Sequence, residues 1–200
     1  MSNDSKERLY IEYKLEGPSN YKKTPDVKIK GTIVGEFKKQ SNISNEEYKE
    51  FEKEHSDDIK KIKSLFTKKR AEGFGSIVVF YDWYKKQPQH CRYCGVSQYE
   101  LRELFTQEKA TKILPLNQAK KRSSGTLEIE RRDSENNEYS TENCILVCPL
   151  CNNAKSNLID EDNWMSLFVE PMREYYKKLL GKDLENKKGH KKPEKLAARR

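Results

Sequence analysis

Apolar residues are scarce in this chain, and no long run of them occurs. Only 34% of the 200 residues are hydrophobic, against 36% charged. No stretch approaches the roughly 20 consecutive apolar residues that a membrane-spanning helix needs. The opening residues, MSNDSKERLY, hold no apolar signal-peptide region. The expected protein is therefore cytosolic and has no membrane partner. So little apolar material supports a modest core, not one running through the whole chain, and small cores usually need a staple such as a structural metal. No internal repeat is visible. The length suits one domain with extensions, or a small domain beside a larger one.

What the chain has in excess is positive charge, net +8. It is unevenly spread. Residues 1–90 carry 19 basic and 15 acidic side chains, residues 91–180 carry 13 and 14, and the last twenty carry 8 and 3. A basic balance suits a nucleic-acid partner, although solvated lysine is its commonest cause. The middle of the chain is not basic overall. Attraction to phosphate there falls to local clusters such as Lys120, Lys121 and Arg122, and to the two ends.

Taken in order, residues 1–8 read as disordered. Leu9, Ile11, Tyr13 and Leu15 alternate, which predicts a strand. Residues 17–20 are a turn. A second strand is predicted over residues 27–37, with Gly31 and Gly35 as bends, so that the two form a small antiparallel unit. Ser44 followed by Glu47 is a capping box, opening a helix to about Arg70, either continuous or interrupted near Ser56, Asp57 and Asp58. Lys68, Lys69 and Arg70 are its best DNA-contact candidates. Residues 76–87 are apolar on every face; a short helix burying Phe80, Trp83 and Tyr84 is the preferred reading. Ser97 and Glu100 form a second capping box for a helix over residues 98–109 carrying Leu101, Leu104 and Phe105. Two further helical segments hold Trp164, Leu167 and Phe168, then Met172, Tyr175, Tyr176, Leu179 and Leu180, with Pro171 restarting the second. Residues 182–200 read as a flexible basic tail.

Chemistry concentrates in the cysteines and in residues 127–158. Cys91 and Cys94 form one CxxC pair, Cys148 and Cys151 another, with 53 residues between the pairs. Two intervening residues let both sulfurs of a pair reach one ion, and four thiolates make the closed site of structural zinc. A single CxxC could be a redox pair, but two pairs in a cytosolic chain favour zinc. Cys144 reads as a small core residue. His90 is a spare ligand or a polar neighbour. Residues 127–158 themselves, LEIERRDSENNEYSTENCILVCPLCNNAKSNL, read as a strand, a polar loop, a second strand and a short helix.

From about Pro88 to Leu158, a third of the chain, the sequence resembles the HNH endonucleases of the ββα-metal fold, in their zinc-containing branch. The residues that carry the resemblance are Glu130 and Arg131, Asn143, and Asn152 in CPLCNNAKS, nine residues beyond Asn143. It implies an α+β fold: a ββα-metal core stapled by a four-cysteine zinc, with a strand and helix extension before it and helices after. The implied parts are residues 1–87 for DNA contact, target choice or dimerisation, 88–181 for the nuclease, and 182–200 for the tail. It further implies that Glu130 and Asn152 hold Mg²⁺ or Mn²⁺, hard ions suited to oxygen ligands, and that Asn143 braces the loop, where an ordinary turn asparagine is an equal alternative. Lys155 either touches phosphate or is simply solvated. The implied activity is hydrolysis of DNA, double-stranded by expectation, in restriction or anti-phage defence, with a homodimer as one arrangement.

The chain departs from the family at Arg131, which stands where the general-base histidine is expected. Arginine stays protonated, so it cannot take a proton from water; it can hold phosphate through two hydrogen bonds. Tyr139 and Glu128 are then the candidate bases, and Asp133 a candidate metal ligand. Alternation puts Glu130 and Arg131 on opposite faces, so the strand must bend or end there for both to meet one phosphate. Two rivals remain open: a catalytically inactive, zinc-stabilised nucleic-acid-binding protein, and a structural zinc module binding protein through its apolar C-terminal helix.

Overall fold

A computed structural model of the chain describes residues 2–17, 30–106 and 125–185. These fall into two compact units, divided between Lys85 and Lys86. The described architecture is mixed but helix-rich, and the sheet within it has two strands.

The first unit is helical. Helix α1 spans Asn3–Glu16, α2 Lys30–Ser41, α3 Asn45–Leu65, α4 Lys68–Phe74 and α5 Ile77–Lys86. The two strands expected here are absent from the described residues. Residues 9–15 lie inside α1, which begins where the Ser2 side chain accepts a hydrogen bond from the Ser5 amide and ends at Gly17, whose φ of 81° is open to glycine. Tyr10, Ile11, Tyr13 and Leu15 are buried, with spacings of three and four among them, so helical periodicity prevails over an alternation confined to four residues. The stretch expected to be disordered is held as well: Arg8 pairs with Asp82 through two hydrogen bonds, at 2.5 and 2.9 Å. The predicted second strand is helical from Lys30 onward, and residues 27–29 lie outside the described part. Its β-branched residues favour a strand only weakly, and tertiary packing overrides such a preference. Phe37 of α2 stacks on Tyr13 of α1 at 4.0 Å.

Helix α3 starts at the Ser44–Glu47 capping box and runs unbroken through residues 56–58. The break comes later, at Phe66 and Thr67, after which α4 exposes Lys68 and Lys69. Helix α5 buries Phe80, Trp83 and Tyr84, as its apolar pattern predicts.

The second unit begins with a turn over residues 90–97, followed by α6 at Gln98–Thr106. The Ser97–Glu100 capping box forms. Strands β1 (Glu128–Arg131) and β2 (Cys144–Val147) pair antiparallel, Glu130 opposite Ile145 and Arg131 opposite Cys144. Helix α7 (Pro149–Lys155) follows at once and packs on β1, and α8 (Glu161–Leu167) and α9 (Val169–Leu180) complete the unit. Trp164 is fully buried, edge-on to Tyr93 and stacked on Phe168. Pro171 sits in the first turn of α9, where its missing N–H costs nothing. Residues 182–185 belong to the packed structure and not to a tail: Leu184 is buried, and the Glu185 amide donates to Glu100 at 2.9 Å.

Candidate functional site

The four cysteines of the two CxxC pairs converge. Their sulfurs all lie within 4.8 Å of one another, and all four residues are buried. Local backbone explains the convergence. The Cys91 amide donates to Val96 O at 2.8 Å and the Gly95 amide to Cys91 O at 3.0 Å, closing a tight turn at Gly95, whose φ is 82°. The Arg92 amide donates to Leu146 O, tying this turn to β2. Cys148 is the N-cap of α7; its extended backbone turns the chain from strand into helix, and Pro149 occupies the first turn. Arg173 of α9 donates to Cys94 O at 3.2 Å.

This set can hold one metal ion, and its chemistry suits zinc. Four sulfurs about 2.3 Å from a tetrahedral zinc lie about 3.8 Å apart; Cys94 Sγ and Cys148 Sγ are 3.7 Å apart, far beyond a disulfide bond. The thiols also shift one another. Burial pushes Cys91 up, but hydrogen bonds with Cys148, Cys151 and Cys94 outweigh it and hold this thiol well below its ordinary value. Burial pushes Cys94 well above it, and hydrogen bonds with Cys148, Cys91 and Cys94 do the same to Cys151. Zinc binds thiolates, so metal binding at this set releases thiol protons. Among the described residues no other group of three or more His, Cys, Asp or Glu forms such a set, and His90 is outside it. Cys144 is buried on β2.

Beside this cluster, β1, the loop after it and α7 enclose an open cleft of about 300 Å³, lined by Ile129, Glu130, Arg131, Ser134, Tyr139, Asn152, Asn153, Ser156 and Asn157. Strand β1 ends at Arg131, and both Glu130 and Arg131 line the cleft despite their alternation. The Arg131 guanidinium lies over the Tyr139 ring, 5.1 Å from its centroid. Asn143 organises the loop: its side-chain nitrogen donates to Asp133 O, Asn136 O and Glu138 O at 3.1, 3.1 and 2.9 Å, and its oxygen accepts from the Asp133 amide at 2.9 Å. The Asp133 carboxylate is engaged in the same loop, accepting from the Glu135 and Asn136 amides. Arg132 faces away to a two-oxygen pair with Glu161 of α8.

Two side chains are engaged within the fold, and the first differs from its reading in the sequence as a solvated or phosphate-touching lysine. Lys155 is fully buried and not solvated; its ammonium donates to Glu130 at 3.2 Å. Burial pushes the Glu130 carboxyl up, Lys155 pulls it back, and the balance stays above the ordinary value of 4.5. Glu128, one of the two candidate bases, accepts a 2.5 Å hydrogen bond from the Asn152 side-chain nitrogen. Both pairings had a signal in the sequence. Glu128 and Glu130 are two apart on a strand, Asn152 and Lys155 three apart on a helix, so each pair shares a face. Lys120, Lys121 and Arg122 lie outside the described residues.

Comparison with known proteins adds no relative: no family model matches the chain, nor does any curated protein or solved structure.

Proposed function

We propose that this protein is a metal-dependent nuclease of the HNH type, hydrolysing DNA phosphodiester bonds, with a structural zinc at the four cysteines. The observation that carries the proposal is the cleft: Glu130, Arg131, Tyr139 and Asn152 all border it, where a two-stranded antiparallel hairpin passes into a short helix carrying two of the four cysteines. The sequence resemblance over residues 88–158 supports the same reading.

Glu130 and Asn152 would hold the divalent ion, one through a carboxylate oxygen and the other through its amide oxygen. So few protein ligands suit Mg²⁺ or Mn²⁺, which keep waters and bind substrate phosphate; the ion supplies charge to stabilise the leaving oxygen. Arg131 binds phosphate. The Tyr139 ring beneath it fixes the guanidinium, worth about 0.5–1 kcal/mol at a partly exposed site, and Asn143 holds the loop that carries Tyr139. In the reaction, water oxygen adds to phosphorus, the bond from phosphorus to the 3′ oxygen breaks, and that oxygen takes up a proton, leaving a 5′-phosphate and a 3′-hydroxyl. Arg131 cannot be the base. Tyr139 lines the cleft and can face the attacking water.

A second reading is favoured by one observation: Glu130 already has a cation, Lys155, at 3.2 Å. A carboxylate neutralised from within the fold suits an inactive, zinc-stabilised nucleic-acid-binding protein. The test is incubation of supercoiled plasmid with zinc-loaded protein and Mg²⁺ or Mn²⁺. The nuclease reading expects nicked and linear product, absent with EDTA and absent for Glu130→Ala. DNA retention by wild type and Glu130→Ala alike, with no cleavage by either, would establish the second reading instead.

A further inference from the structure

We infer that Glu128 is a positioning residue: it sets which atom Asn152 presents to the cleft, and so prepares that asparagine to bind a cation. What the presented atom is used for rests on the nuclease reading above; the orientation itself does not.

The Asn152 side-chain nitrogen donates to Glu128 Oε2 at 2.5 Å. A carboxylate offers only acceptor atoms, so the amide must bring its nitrogen to it. The reversed amide would set oxygen against a charged oxygen. Because the amide is planar, its Oδ1 lies on the other arm, turned from Glu128, and is the side-chain atom left free to accept a ligand; Asn152 is one of the residues bordering the cleft. An amide oxygen is a hard ligand for Mg²⁺ or Mn²⁺, whereas the nitrogen would repel either ion. Glu128 itself is not among the cleft-lining residues. The role inferred for it therefore runs through Asn152.

The neighbouring pair keeps this contact in register. Glu130 stands two residues along β1 and meets Lys155, three residues along α7, at 3.2 Å. Two rungs, Glu128 to Asn152 and Glu130 to Lys155, thus link the same strand to the same helix. A sideways slip that broke one would break the other. The helix ends just beyond, at Ser156, whose φ of 52° is uncommon for a side chain other than glycine. Ser156 lines the cleft too.

The experiment uses the full chain with zinc bound, and reads Mn²⁺ binding by electron paramagnetic resonance and the Asn152 side-chain amide by ¹⁵N NMR. Glu128→Ala is expected to weaken Mn²⁺ about 10–100-fold, the usual cost of losing a residue that orients a metal ligand, with zinc content unchanged. Glu128→Gln keeps a carbonyl acceptor and is expected to recover most of the affinity; it also guards against a failure of the alanine variant to fold. In an Asn152→Ala background, Glu128→Ala is expected to cost nothing further. Additive losses would overturn the inference and make Glu128 a metal ligand. Unchanged Mn²⁺ affinity with cleavage abolished would overturn it in favour of direct action on the reaction. If wild type binds no Mn²⁺, the nuclease reading falls, and the spectrum alone decides the orientation. Asn152 amide resonances that move in Glu128→Ala and return in Glu128→Gln support it; resonances that do not respond overturn it.

Discussion

Lys155 and Glu130 form a buried ion pair whose members depend on each other. Removing one partner from such a pair strands the other charge in a poor dielectric, which costs about 3 kcal/mol or more. Lys155→Met is therefore expected to lower the unfolding free energy by about 3 kcal/mol at pH 7, measured by urea denaturation. The pH dependence follows from the sign of the shift. Burial holds the Glu130 carboxyl above its ordinary range despite Lys155, so ionising it costs stability relative to the unfolded chain. Without Lys155 the carboxyl rises further. The deficit of the variant should then shrink as pH falls through that raised value, and a carboxyl ¹³C titration should show the upward move directly. A deficit that is constant with pH would mean that Glu130 does not carry it.

At the level of elements, the entry to β1 is clamped by α6. Gln98 donates from its side chain to Gly125 O and accepts from the Leu127 amide at 2.9 Å. Gly125 has φ of 52°, and a Cβ there would sit 3.1 Å from Arg102 Cα and Leu101 O. Both the left-handed backbone and the backbone contact oppose a side chain. Gly125→Ala is expected to cost about 1–2 kcal/mol from the backbone alone, seen as a lower urea midpoint without change of slope; an unchanged midpoint would show that the contact relaxes freely. Local signals were the legible ones. Both capping boxes and the CxxC spacing depend on residues within a turn of each other, and all formed. The hairpin and α7 were legible because β2 is continuously apolar and Pro149 follows Cys148. Helices α1 and α2 were not. Four alternating residues and a β-branched run are satisfied equally by strand or helix, and packing such as Phe37 on Tyr13 decides between them. The Lys155 pairing needed the register of strand on helix, which two isolated segments do not fix.

For the whole molecule, the separation into two units predicts a selective response to metal loss. Structural zinc binding contributes roughly 10–16 kcal/mol, as much as the entire net stability of an ordinary domain, about 5–15 kcal/mol. Stripping the metal should therefore unfold the cysteine-bearing unit while leaving the helices of Met1–Lys85 folded. Hydrogen exchange should rise across residues 90–97, 128–131 and 144–155 on chelation and stay low in α3. Equal loss of protection in α3 would contradict independent stability of the first unit. The central claim, that Glu130 and Asn152 hold the ion with which this protein cuts nucleic acid, is tested most directly by the plasmid cleavage rate as a function of Mn²⁺ concentration in wild type, Glu130→Ala and Asn152→Ala. Saturable metal dependence is expected for wild type, with no cleavage above background for either variant. Cleavage that persists in both variants, or that is absent from wild type at every Mn²⁺ concentration, would contradict that claim.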